Sequence, residues 1–141
     1  MTVELAVADD VADAFAVRHD VFVVAQGVPL DLERDELDET ADHLVVRVDG
    51  RVMGTGRLFV GDDGVGVLGR LAVREEARGA GLGVALVRGI EERARERGLR
   101  AIELHAQTHV REFYERLGYV AFGEEYLEAG IPHISMRKPL E

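Results

Sequence analysis

The residues best suited to chemistry cluster in the second half of the chain. Arg78, Gly79, Ala80, Gly81, Leu82 and Gly83 follow an apolar run and precede a helix-like pattern. Glycines at alternate positions let backbone N–H groups approach a ligand with no Cβ in the way. A helix start adds unpaired N–H donors and the positive end of its dipole. Together these features suit an anion, best a phosphate or pyrophosphate. A plain glycine-rich turn is the competing reading, and Arg78 beside the spaced glycines weighs against it. Two nucleotide fingerprints fail. The dinucleotide motif needs a glycine at its sixth place, where Val84 or Leu86 stands, counting from Gly79 or Gly81. The Walker A loop needs Gly-Lys, and the chain's single lysine, Lys138, follows Arg137.

Composition narrows the chemistry further. Cysteine is absent, which removes disulfides, a cysteine nucleophile and any thiolate metal site. His105 and His109 lie four apart, but a strand end and a turn separate them, so no metal site is expected. The chain has 141 residues and 47% hydrophobic content, which suits one domain over residues 1–141. Net charge is −10, and all of it falls in residues 1–43, which hold twelve acids against Arg18 and Arg34. That balance disfavours nucleic-acid binding. An acidic face could attract a cationic substrate, or it could be a solvated surface suited to high salt. The longest charge-free stretch, Val21 to Leu30, is too short to span a membrane. The start of the chain has no basic n-region, so a cytoplasmic protein is expected.

These residues need a scaffold, and the pattern predicts one. Val3 to Ala8 reads as an edge strand. Asp9 or Asp10 can cap a helix from about Val11 to Gln26, where Ala14, Val17, Val21, Val24 and Ala25 recur at helical spacing. The acidic Leu30 to Asp42 segment has room for one short helix. His43 to Val48 and Arg51 to Val60 flank Asp49-Gly50, a hairpin signal. The turn from Gly61 to Gly64 leads to a third strand, Val65 to Val73. Leu82, Leu86, Ile90 and Ala94 mark a helix ended by Gly98. A strand Leu99 to Ala106, a helix Thr108 to Leu117, and strands near Val120 to Tyr126 and His133 to Lys138 follow. The predicted class is α/β (α+β): a mixed, mostly antiparallel sheet of about seven strands with helices on both faces.

Arg78-x-x-Gly81-x-Gly83 resembles the R/Q-x-x-G-x-G/A signature of the GNAT superfamily of N-acetyltransferases. The stretch from Gln107 to Tyr119 is similar to that family's N-x-x-A-x-x-F-Y-x-x-x-G-F segment. Phe113, Tyr114 and Gly118 match, Tyr119 replaces Phe, and Gln107 and Val110 stand where Asn and Ala are usual. Segments Arg18 to Gly27 and Glu128 to Met136 resemble small bacterial and archaeal members, including ElaA-like ones. The resemblance covers most of the chain in the family's order. It implies acetyl-CoA as donor and co-substrate, and a primary amine of a small molecule or peptide as acceptor.

It also implies residue roles. Backbone N–H groups of Arg78 to Gly83 would hold the CoA pyrophosphate, and the backbone of Leu71, Ala72 and Val73 would pair with the pantetheine arm. The Gln107 amide could contact that arm. Tyr114 would protonate the leaving thiolate, although Phe113 and Tyr114 could instead be core packing. With no cysteine, direct transfer is simpler than an acyl-enzyme. His105 or His133 could deprotonate the amine, or Glu36, Glu103 or Glu125 could act through water. Arg18 and Phe22, one helical turn apart, and Arg70 are further acceptor-side candidates. A non-catalytic acyl-CoA-binding sensor or partner module is the alternative function. Either a monomer or a homodimer is compatible with the pattern.

Overall fold

The structure is a computed structural model that describes residues 2–9 and 11–141. Its strands are β1 (Val3–Val7), β2 (Asp42–Val48), β3 (Arg51–Val60), β4 (Val65–Val73), β5 (Ala101–Gln107), β6 (Val120–Glu128) and β7 (Ile131–Pro139). The helices are α1 (Ala12–Arg18), α2 (Leu30–Glu33), α3 (Leu82–Glu96) and α4 (Arg111–Arg116). The strands form one seven-stranded sheet in the order β1-β2-β3-β4-β5-β7-β6. Only β4 and β5 run parallel, as the intervening α3 crossover requires. No helix among the described residues is long and apolar enough to cross a membrane.

Hydrophobic spacing explains how the layers stack. Leu82, Leu86, Ile90 and Ala94 of α3 are buried with Leu44, Val46, Leu58 and Ile102 of the sheet. Val17 and Val21 pack with Ala72 in a separate cluster under the first helix. Close approach of α3 needs a bare backbone on β3, since a Cβ at Gly56 would lie 2.7 Å from Ile90 Cδ1. The Asp49-Gly50 hairpin has positive φ at both residues, as a two-residue turn of this kind requires.

Several expected boundaries shift. The first helix starts at Ala12 after Val11, so Asp9 is not its cap, and Asp10 lies outside the described residues. Beyond Arg18 the helix continues as widened π turns over His19–Ala25. The acidic segment holds α2 and, after it, one 3₁₀ turn over Glu36–Glu39. Asp35 begins that turn and accepts from the Leu37 N–H, while Asp38 accepts from the Asp35 N–H.

The largest departure lies in β4. The expected strand is continuous, but the observed one has a bulge: Thr55 faces Ala72 and Arg57 faces Gly69, leaving Arg70 and Leu71 opposite Gly56. Arg70 takes a φ of 51°, which L residues seldom adopt. Pairing of β4 with β5 covers only Val65–Leu68 against Ala101–Leu104. Past Leu68 the two parallel strands part.

Candidate active site

The gap between the parted strands is a cleft of about 690 Å³. The bulge residues Gly69, Arg70 and Leu71 form one wall, and Leu104 to Gln107 with Tyr114 form the other. Phe22 and Gln26 reach it from the π-wound turns, and Glu33 and Asp35 from the acidic segment. Glu128, Ile131 and His133 close it from the β6–β7 hairpin. Widened helical turns commonly occur at functional sites, where they shift side chains out of the regular helical register. Gln107 Nε2 donates to Gln26 Oε1 at 3.4 Å across the cleft.

The cleft thus brings together Phe22, Arg70, Leu71, His105, Gln107, Tyr114 and His133. Ala72 is buried under the first helix, so only its backbone can face a ligand. Leu71 and Val73 lean on the main core. Arg78, Gly79, Ala80, Gly81, Leu82 and Gly83 lie outside the cleft lining, at the β4–α3 junction. Arg78 Nε donates to Val73 O at 3.0 Å. Gly81 is left-handed at φ 77°, and no side chain caps α3 there. The N–H groups of the first turn therefore keep their usual need for an acceptor. The missing Cβ of Gly83 also makes room for the Phe113 ring, which a Cβ would meet at 3.3 Å.

Tyr114 is 6% exposed, and its ring meets Phe113 and Tyr119 edge-on at 5.0 and 5.9 Å. Burial pushes its hydroxyl well above the ordinary phenol range, so it stays protonated at neutral pH. On the opposite side, His133 Nδ1 lies 2.7 Å from Ile131 O. A carbonyl only accepts, so Nδ1 carries the proton and Nε2 keeps a lone pair free to accept one. Glu128 Oε2 lies 3.4 Å from that Nε2, and the His133 ring stacks on Tyr126 at 5.8 Å. His105 Nδ1 lies 3.1 Å from Ser135 Oγ, and its Nε2 lies 3.7 Å from Glu103.

Two groups of acceptor-side candidates do not reach the cleft. Glu36, Glu103 and Glu125 are not among its lining residues, whereas Glu33, Asp35 and Glu128 are. Arg18 is the clearest correction. Its side chain is 1% exposed and donates to Glu33 at 2.5 Å and to Asp38 at 2.7 Å, so it positions the acidic segment and meets no acceptor.

That segment is held by three arginines. Arg57 Nη1 donates to Asp35 at 2.7 Å and to Asp38 at 2.9 Å. Arg70 donates to Glu33 O at 2.9 Å and to Asp35 at 3.2 Å. Burial alone would raise the Asp38 carboxyl. Hydrogen bonds from Arg18, the Asp35 N–H and Arg57 outweigh it and hold the group well below the usual range. The inward acids are therefore neutralised, which removes much of their pull on a cationic substrate. Arg57, Asp35 and Glu128 had no place among the sequence candidates. A signal for Arg57 existed: an arginine between glycines and leucine in an inner strand must find acids if buried.

The chain's relatives fit this geometry. A family model described as an acetyltransferase (GNAT) domain matches residues 8–140. The uncharacterized N-acetyltransferase YjcF of Bacillus subtilis is 40% identical over 131 residues, covering 92% of this chain and 93% of YjcF. Two solved structures share the fold. An acyl-CoA N-acyltransferase from Pseudomonas aeruginosa has a TM-score of 0.82 at 35% identity, covering 97% of this chain and 98% of its own. Escherichia coli ElaA has a TM-score of 0.84 at 28% identity, covering 97% and 99%. The chain belongs to the GNAT acetyltransferase family and is an acyltransferase enzyme.

Proposed function

We propose that this chain, as a single domain over residues 1–141, transfers the acetyl group of acetyl-CoA directly to a primary amine of a small molecule or peptide. One observation carries the reading. After Leu68, β4 has no β5 partner in register, so Leu71–Val73 offer a strand edge that starts at the cleft with Leu71, and Tyr114 lines the same cleft. An extended amide-bearing arm is the kind of ligand that completes such an edge. The uncapped start of α3, with Arg78 to Gly83 before it, suits the pyrophosphate at the arm's far end.

Bound acetyl-CoA supplies an activated acetyl thioester. The chain's own groups then have three tasks. An alkylamine has a pKa of about 10, so it must lose a proton before attack. His133 Nε2 takes that proton, and the nearby Glu128 carboxylate stabilises the imidazolium. A backbone N–H of the β4 bulge faces the developing oxyanion. As the C–N bond forms and the C–S bond breaks, the Tyr114 hydroxyl gives its proton to sulfur. Burial that raises the phenol also raises the proton affinity of a thiolate in the same dry site, so the transfer is matched.

Thiol release from acetyl-CoA with an amine panel tests this. Wild type should release CoA in an amine-dependent way. Tyr114→Phe, which keeps the ring packing, should lower kcat about 100-fold while acetyl-CoA still binds. Unchanged turnover in that variant would remove Tyr114 from the acid role.

A further inference from the structure

The fork edge of Arg57 has no use within the described protein. Its Nη1 holds Asp35 and Asp38. Its Nε is buried and has no hydrogen-bond partner among the described residues. Buried guanidinium N–H groups are ordinarily bonded, because leaving one unmade carries the desolvation cost of the group. The residue facing Arg57 in register is Gly69. A Cβ built at Gly69 would find only this guanidinium, with Nη2 at 3.8 Å and Nε at 4.0 Å. The bare Gly69 therefore leaves room for a methyl-sized group against the Nε/Nη2 edge, and both residues line the cleft. That edge presents two parallel N–H donors, the geometry that takes a carboxylate bidentately.

The local charge agrees. Arg70 lies on the same wall, and burial together with the positive charges of Arg57 and Arg18 lowers its proton affinity despite Asp35 and Glu33. A further anion at this wall would relieve that field. Across the cleft, Glu128 and His133 offer the proton-accepting groups an amine needs.

We infer that the Arg57 edge exposed by Gly69 is a carboxylate subsite, and that the acceptor is a small amino acid bearing both the reacting amine and a free carboxylate. This inference rests on the acetyltransferase reading above and narrows its acceptor from amines in general. A peptide N-terminus, whose neighbouring carboxyl is an amide, would leave the edge unpaired.

The test measures CoA release with each L-amino acid beside its α-carboxamide, and with β-alanine and 4-aminobutyrate beside propylamine. At least one acid should exceed its uncharged partner tenfold or more in kcat/KM, with most of the gain in KM. Gly69→Ala should shrink that ratio at least fivefold. Gly69 has an ordinary φ and its new methyl would meet nothing closer than 3.8 Å, so the variant should fold. Its thermal shift with acetyl-CoA checks that it has. Arg57→Lys, which keeps the charge and loses the fork, should shrink the ratio similarly. If acetyl-CoA binds but no acid outperforms its uncharged partner, or if Gly69→Ala leaves the ratio intact, the subsite is overturned while the acetyltransferase reading stands. If acetyl-CoA itself neither binds nor reacts, the broader reading falls first.

Discussion

Among the described residues the protein buries charge in two places, and they differ in what they leave open. Under α3, Glu91 is 1% exposed and fully engaged. Tyr119 donates to its Oε2 at 2.9 Å, Arg88 to its Oε1 at 3.0 Å, and Lys138 to Oε2 at 3.1 Å. Lys138 also satisfies Leu117 O, which helps terminate α4. None of these groups faces the cleft between β4 and β5. The Arg18–Arg57–Arg70 cluster is built from the same chemistry, but it borders that cleft and retains an unused donor at Arg57. A closed cluster orders the chain locally. An open one orders the chain and also presents a donor to a ligand.

Breaking each cluster should show the difference. The largest effect is expected at Arg18, whose loss leaves Glu33 and Asp38 buried without their main partner. Arg18→Met should cost about 3–5 kcal/mol, read from the urea midpoint at constant m. A loss under about 1 kcal/mol would mean that Arg57 and Arg70 suffice.

Acid should act next. Asp38 has a folded pKa below its unfolded one, so its contribution is present above about pH 4 and is lost as pH falls towards the folded value. Stability should drop by on the order of 2 kcal/mol between pH 4 and pH 2 from this group. Asp38→Asn should flatten that slope in urea titrations across the same range.

The smallest effect belongs to the closed cluster. Tyr119→Phe removes one of several donors to Glu91 and should cost about 1 kcal/mol. It should leave kcat unchanged within twofold, because Tyr119 lies outside the cleft lining. A large activity loss there would blur the distinction between the clusters.

What the sequence made legible follows from range. The Asp49-Gly50 hairpin, the α3 face and its stop at Gly98 depend on residues close in the chain, and they were readable. The alternating glycines also marked the loop before α3. The bulge at Arg70 was not readable, because Val65 to Val73 keeps an apolar strand pattern through it. It shows only in the pairing of Arg57 with Gly69 and Thr55 with Ala72, which no local signal encodes. The arginine partners were hidden for the same reason: Arg18 meets Asp38 twenty residues away, and Arg70 meets Asp35 across thirty-five. That the bare Gly83 also seats the Phe113 ring was hidden likewise, because it is a tertiary contact.

Thermal unfolding with and without acetyl-CoA, with NAD and ATP as controls, asks whether the folded protein binds the proposed donor. A ligand specific for the folded protein at about 100 times its Kd adds roughly 2.7 kcal/mol, a rise of several degrees in Tm. Acetyl-CoA alone among the three should give that rise. A folded sample that acetyl-CoA does not stabilise, or that NAD or ATP stabilises equally, would contradict it.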